Sequence, residues 1–353
     1  MPISPDVSRE ERLALAAIYA TAERTMLALV AHRIEDGIDR DDWASRQLAE
    51  VGLLRHQLTS VMARVETRLP SLVRTLIRAS WSKGLSSAGT DLSAAGRTAA
   101  ALDIDVIAVE SLVFETTRSL RQTHLLAVSR TADAYERIIR DASAQALTGA
   151  VTRRQAAQQA LDVFARIGIR GYTDRAGRRW ELASYVEAAT RAATARAAIN
   201  AHTQRLEASG EHLVIVSDSP QECPLCRPLE GQVLVLDGHA PPPGVPVWGS
   251  LKEAEGRGLF HPGCTHAISL YIHGVTPRFG KTSNPQGYED RQKLRRLERS
   301  LREAKRREQA AITPQARTQA SARVRARQAA IREHVDTTSA KRQPHREQIN
   351  VAR

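Results

Sequence analysis

All three cysteines of this 353-residue chain, Cys223, Cys226 and Cys264, fall in one short stretch. Two histidines, His261 and His266, flank the third. The stretch reads Asp-Ser-Pro-Gln-Glu-Cys-Pro-Leu-Cys at 218–226 and Leu-Phe-His-Pro-Gly-Cys-Thr-His at 259–266. Cys-x2-Cys places two thiols on one tight turn, a common half of a tetrahedral zinc site, and Pro224 stiffens that turn. The second half would come from His261, Cys264 and His266. A structural zinc needs four ligands and five are offered, so His261 and His266 compete for the fourth place. Such an ion would tie together a strand core too small to be stable alone. The bland alternative is three reduced thiols packed as small hydrophobes.

The residues around the cluster read as a small α+β module, 169–273. His212–Ser217, Gln232–Leu236 and Ala267–Ile272 are β-branched and apolar, which predicts three strands. Pro241-Pro242-Pro243-Gly244-Val245-Pro246 can only be loop. Upstream, Ile169–Trp180 is punctuated by Gly171, Asp174 and Gly177 and predicts a hairpin. A helix follows to about Ala208, rich in alanine at its centre and closed by Gly210.

Residues 1–168 read as one helical domain. After an irregular lead-in, Ser8 and Glu11 form a capping box. The first helix runs to about Ile34 with Leu13, Ala17, Ala20, Leu27, Ala31 and Ile34 as its apolar stripe. Asp41 or Asp42 opens a second, carrying Leu48, Val51, Leu54, Leu58 and Val61. Pro70 restarts a shorter helix through Trp81, and the Ser/Gly/Thr-rich 84–96 reads as a loop. A long helix is expected over 106–147, with Ile107, Val113, Leu120, Leu125, Ala132, Tyr135, Ile138 and Ile139 as its apolar set. Thr152 and Gln155 cap another that ends before Gly168. Methionines and aromatics in this part are core by default. His202 and His239 read as ordinary surface or loop residues.

Residues 274–353 read as linker and basic helical tail. Pro277, Gly280, Asn284, Pro285 and Gly287 mark the linker. A charged helix begins near Tyr288, where Leu294, Leu297, Leu301 and Ala304 form a narrow seam for a partner helix. Thr313-Pro314 starts another, to about Val335, and the last stretch, about 15 residues, reads as polar and disordered. Residues 289–353 hold 18 Lys and Arg against 8 Asp and Glu, so most of the chain's +12 net charge is in the tail. Such a tail can neutralise phosphates without sequence preference; the alternative is a solvated helix face. The residues that would meet DNA are Arg291, Lys293, Arg295, Arg296, Arg299, Arg302, Lys305, Arg306 and Arg307. No secretory leader is expected at the start of the chain, nor any apolar run near the ~20 residues that span a bilayer. The clustered cysteines do not resemble a disulfide framework. The chain reads as one made in the cytosol. The fold class expected is mainly α with a small α+β module: N-terminal helical domain, three-stranded Cys/His module and C-terminal basic helices.

Enzyme templates fit poorly. A zinc deaminase needs His-x-Glu upstream and Pro-Cys-x2-Cys; no His-x-Glu precedes Cys223, and residue 222 is glutamate. A thiol protease needs an isolated nucleophile with a histidine base; Cys264 between two histidines could mimic that, but three clustered cysteines favour a metal. A thioredoxin-like Cys-x2-Cys belongs at a helix N-terminus, and Pro228 and Gly231 follow here. An HNH-type nuclease lacks its supporting Asn/His set.

The order Gly-Tyr-Thr-Asp-Arg-Ala-Gly-Arg-Arg-Trp (171–180), helix, strand, Cys-Pro-Leu-Cys, Glu230-Gly231-Gln232-Val233 and His-Pro-Gly-Cys-Thr-His resembles the tailed-phage minor capsid proteins. These are minor capsid protein 2 and its relatives among the Mu-type head morphogenesis proteins. The match covers roughly 169–273. It implies a virion head component acting in head morphogenesis with portal and capsid proteins, in contact with DNA, and assembled in the host cytoplasm. It implies no established reaction. The closing segment carries both His261 and His266, blending two variants of the pattern. Two alternatives remain from the residues: a metal-dependent nuclease or other hydrolase acting on DNA, and a non-specific nucleic-acid-binding protein.

Overall fold

The computed structural model describes residues 7–173, 177, 179–219, 221, 223–261, 264, 266–277, 282 and 284–349. The expected lead-in (1–6), the hairpin turn (174–176 and 178), Gly280 of the linker and residues 350–353 lie outside them. The fold is mainly α with a small α+β module. The helices are α1 (Arg9–Glu35), α2 (Trp43–Ala49), α3 (Val51–Glu66), α4 (Leu69–Ala94), α5 (Val106–Leu147), α6 (Arg153–Ile167), α7 (Leu182–Ala208), α8 (Leu251–Gly256), α9 (Pro285–Gln309) and α10 (Pro314–Asp336). The strands are β1 (Arg170–Thr173), β2 (Arg179–Glu181), β3 (Leu213–Val216), β4 (Val233–Val235), β5 (Gly249–Ser250) and β6 (Ile268–Leu270). The chain folds into two compact units, each drawn from separated stretches. One comprises residues 1–12, 70–117 and 188–289; the other comprises 13–69, 118–187 and 290–353.

The first unit is built on a four-stranded sheet of order β5-β4-β3-β6, where three strands were expected. β3 pairs antiparallel with β4 and with β6, Val214 lying opposite both Leu234 and Leu270. β5 adds a short parallel edge to β4. Strand side chains alternate between faces, and both faces are covered. Val214, Val216, Leu234, Leu236, Ile268 and Leu270 pack with Ala88 and Leu92 of α4 and Ala198, Ile199 and Leu206 of α7. Leu213, Ile215, Val233, Val235 and Tyr271 pack with Val245 and Val247 of the proline-rich loop. β5 and α8 were not foreseen, although Ser250-Leu-Lys-Glu253 carries the cap signal: Ser250 and Glu253 form a reciprocal capping box.

Residues 84–94 of the expected loop are instead the last three turns of α4. Leu85, Ala88 and Leu92 are buried at helical spacing. Gly84 is there for clearance: a Cβ on it would stand 2.2 Å from the Ala198 carbonyl oxygen and 2.8 Å from the Ala201 Cβ. The glycine that reads as a helix breaker is the contact point between two helices. Asp91, one turn from the end of α4, accepts from the Leu270 amide at 3.1 Å and pairs with His202 Nε2 at 3.1 Å. His202 is fully buried on α7 and is therefore no surface residue. His239 does lie in a loop, stacked on His212. Ser8 does not take the extended backbone of an N-cap; its φ is +53°, and its hydroxyl accepts from Ser80 and Lys83.

In the second unit α1 buries Leu27, Ala31 and Ile34 of the expected stripe, but Leu15, Tyr19, Met26 and Val30 are buried where Leu13, Ala17 and Ala20 are only half-buried. α1 alone among the described helices is long and apolar enough to cross a membrane, a point the expectation of no such run missed; that buried stripe is core. Tyr19 hydrogen-bonds His124 of α5 at 2.8 Å, Trp43 Nε1 donates to the Ile34 carbonyl, and Tyr135 donates to Gln47. α5 and α6 have the expected extents, and the Thr152–Gln155 capping box forms. Ile107 and Leu125, expected among the buried residues of α5, are exposed instead. The expected second helix is two, broken at Glu50, and Asp42 pairs with Arg40 rather than capping.

The seam on α9 finds its partner in α10 and the segment after it: Leu294, Leu301 and Ala304 pack with Val324 and Ile331 of α10 and with Ala340. Thr313 caps α10 as expected, accepting from the Ala316 amide. α9 begins at Pro285, three residues early, because Asn284 Oδ1 accepts from the Gly287 amide at 2.7 Å. The stretch after α10, expected to be disordered, is docked as far as residue 349. Glu347 is buried and takes both nitrogens of the Arg342 fork, Lys305 donates to the Glu347 carbonyl, and Arg346 pairs with Glu187.

Candidate metal centre

The loop from β3 to β4 carries Cys223 and Cys226 on one turn. The Cys226 and Arg227 amides both donate to the Cys223 carbonyl. A 3-10 turn, Arg227–Leu229, follows and delivers Glu230 inward. The connection from α8 to β6 carries the second half. Phe260 takes a left-handed backbone, φ +59°, a conformation costing roughly 1 kcal/mol or more outside glycine, and this turns His261 toward the cysteines. The Cys264 amide donates to the His261 carbonyl, and Arg191 of α7 donates to the Cys264 carbonyl.

The five expected ligands converge as two overlapping groups, Cys223–Cys226–His261 and Cys226–Cys264–His266. Cys226 belongs to both. Cys226 Sγ lies 3.6 Å from Cys264 Sγ, and Cys264 Sγ lies 3.5 Å from His266 Nδ1. Those separations match the edges of a zinc tetrahedron, which Zn–S and Zn–N distances put at ~3.5–3.8 Å. Cys223 Sγ and His261 Nε2 are 2.9 Å apart, a hydrogen-bond distance shorter than such an edge. All three cysteines and His266 are buried, and His261 is half-buried.

A partner that the cysteine spacing did not announce is Glu230. Its Oε1 lies 2.7 Å from His266 Nε2, and both side chains are 1% exposed. The same oxygen accepts from the Ser219 amide at 3.2 Å. A buried carboxylate on the far nitrogen of a histidine fixes the ring and raises its basicity, the usual companion of a metal-bound imidazole. The signal in the sequence was an acidic residue four positions beyond Cys226. Electrostatics follow from the same contacts. The hydrogen bond shared by the Cys226 and Cys264 sulfurs raises Cys226 and holds Cys264 down at about 4 despite burial. Burial works against an imidazolium at His266, but hydrogen bonds with Cys264 and Glu230 raise it above its ordinary value.

Cys264, His266 and Glu230 have the connectivity of a nucleophile, base and orienting acid. All three are sealed in the core that α4 and α7 cover, so the thiol has no face to offer a substrate.

The basic residues of the tail divide. Arg306 is buried, donating to Glu181 at 2.9 Å and to the Ala165 carbonyl at 2.9 Å. Arg302 donates to the Arg346 carbonyl and pairs with Glu181, Lys305 donates to Gln348 Oε1, and Arg307 pairs with Glu303 at 2.9 Å. These four are engaged within the chain. Lys293, Arg296 and Arg299 are exposed, and Arg291 and Arg295 are half-buried.

The Cys/His centre thus sits in a small covered sheet carried by a mainly helical chain. The family model described as phage minor capsid protein 2 matches residues 3–336, and the chain belongs to that family. It is 25% identical over 185 residues to a curated "Structural protein" of Lactococcus phage LL-H. That match covers 50% of each protein, so the chain spans about half the length of this relative. No solved structure matches.

Proposed function

We propose that this minor capsid protein acts in head morphogenesis at or near the portal, as a structural component of the virion head. In this reading it is assembled in the host cytoplasm with portal and capsid proteins, and its basic helices face DNA. The observation that supports a structural rather than catalytic role is the burial of Cys223, Cys226, Cys264 and His266. Fractionation of purified particles tests it: the chain is expected in procapsids and mature heads, and its absence from both would sink the reading. The linear division into 1–168, 169–273 and 274–353 is kept here as a division of roles: scaffold, metal-centred module and basic tail.

The module would hold one zinc on Cys223, Cys226, Cys264 and His266, with Glu230 orienting the imidazole. His266 is favoured over His261 by its tetrahedral separation from Cys264 and its anchored far nitrogen. When bound, zinc supplies a rigid cross-link between the β3–β4 and α8–β6 connections. Because α4 and α7 already cover the sheet, the ion is not the sole source of the module's stability. Elemental analysis of the purified chain is expected to give about one zinc per chain. Zinc retained in Cys264→Ser would remove that cysteine from the ligand set.

A further inference from the structure

Among the described residues of the second unit, one charged cleft is not accounted for by the contacts around it. It lies between α6, β2 and α9. Its two carboxylates, Glu181 and Glu303, are already committed. Glu181 takes Arg306 at 2.9 Å and Arg302 at 3.6 Å. Glu303 takes Arg307 at 2.9 Å. The other basic residues of the cleft wall are Arg166, at the end of α6, and Arg296 and Arg299, on one face of α9. Each of the three is exposed. None makes an ion pair or hydrogen bond within the chain among the described residues. Ser300 adds a hydroxyl to the same wall.

We propose that this cleft is a phosphate-binding site that takes the backbone of a nucleic acid, with Arg166, Arg296 and Arg299 as the contacting residues. Guanidinium forks match phosphate oxygens two at a time and remain charged at any working pH. Three unpaired forks converging beside already-neutralised carboxylates are a surplus that a single carboxylate ligand would leave mostly unmet. Burial, with Arg302 and Arg296 nearby, holds Arg299 below its ordinary value against the pull of Glu181 and Glu298. The row also outruns one small anion. Lys293 is exposed one turn before Arg296, so cations line the helix for about 9 Å at 1.5 Å per residue. A polymer of phosphates occupies such a row; free phosphate does not. Arg166, which lies far from the basic tail in sequence, is the member that tail composition conceals.

The inference rests on the reading that the basic helices meet DNA, and it can fail separately. Full-length protein would be titrated with a labelled mixed-sequence duplex across a salt series. Three forms are compared: wild type, the cleft variant Arg166→Gln/Arg296→Gln/Arg299→Gln, and a control, Arg323→Gln/Arg325→Gln/Arg327→Gln, which removes equal charge from exposed positions of α10. The cleft variant is expected to bind at least tenfold more weakly, with a log K versus log salt slope shallower by roughly 2 to 3. The control is expected to stay within about twofold, because charge outside the contact contributes little to counterion release. Equal losses in both variants, or none in the cleft variant while wild type binds, overturn the cleft alone. No binding by wild type overturns the DNA reading and the cleft's ligand together. Thermal melting with inorganic phosphate separates the last source: stabilisation that needs Arg166 without any DNA binding would make this a small-anion site and defeat the nucleic-acid assignment. Since the three arginines hold nothing else in the chain, both variants are expected to melt with wild type in the absence of ligand.

Discussion

His266 is gripped at both ring nitrogens, by a thiol on one side and a carboxylate on the other. Glu230→Gln keeps the shape of that carboxylate and removes its charge. It is expected to lower zinc affinity by about 10- to 100-fold without changing the saturating stoichiometry. Competition with a chromophoric chelator reads this, and an unchanged affinity would detach Glu230 from the centre. A second residue gives the fold a pH dependence. Glu298 is 2% exposed, and burial pushes its carboxyl up to about 7 against the pull of Arg346, Arg302 and Arg295. A carboxyl with a raised folded pKa holds its proton more tightly when folded. Its contribution therefore favours the fold below its ordinary value of 4.5 and is lost progressively as pH rises toward 7. Glu298→Gln is expected to raise the melting temperature at pH 8 and to flatten its decline between pH 5 and 8. A melting curve that keeps the wild-type slope would assign the dependence elsewhere, Glu23 being the next candidate. At this scale the cysteines and both histidines of the centre were legible, because rare residues at ligand spacing stand out. Glu230 and His202 were not, because a buried acid or imidazole differs from an exposed one only in what folds over it.

Among the elements, α4 is the one whose character reverses between sequence and fold. Ser, Gly and Thr between 84 and 96 satisfy every local rule for a loop, yet tertiary packing against α7 makes a helix of them. Gly84→Ala tests the reason. The added methyl meets backbone at Ala198, not a movable side chain, so a loss of about 1 to 3 kcal/mol is expected from overpacking. Gly96→Ala serves as comparison for steric crowding, since a Cβ there meets nothing within 4 Å; its φ of +66° brings a separate backbone strain. A denaturant series showing Gly84→Ala as stable as wild type would refute the close approach. The Asp91–His202 pair ties the same two helices together from within. Its weakening in Asp91→Asn is expected to cost about 1 to 3 kcal/mol, as when a buried hydrogen-bond partner is lost. The long helices α5 and α6 were readable because their apolar spacing and the Thr152 cap are local signals. The docking of residues 340–349 was not, since Arg342, Glu347 and Arg346 look like solvated charge until their partners are in place.

On the scale of the whole molecule, composition announced a mainly helical protein with a small α+β module. It could not announce that the tail helices belong to a folded unit that also contains residues 13–69 and 118–187. Deleting 289–353 is therefore expected to unfold that unit rather than merely discharge the protein. Limited proteolysis of the truncated chain is expected to degrade residues 13–69 rapidly; a resistant, cooperatively melting remainder would contradict it. The interleaving of the two units has a further consequence, for inheritance. A genetic crossover anywhere from residue 13 onward would join part of a unit to segments that never evolved beside it. Exchange between related genomes is then penalised across this stretch, so its coding sequence is expected to pass between phages as a single block.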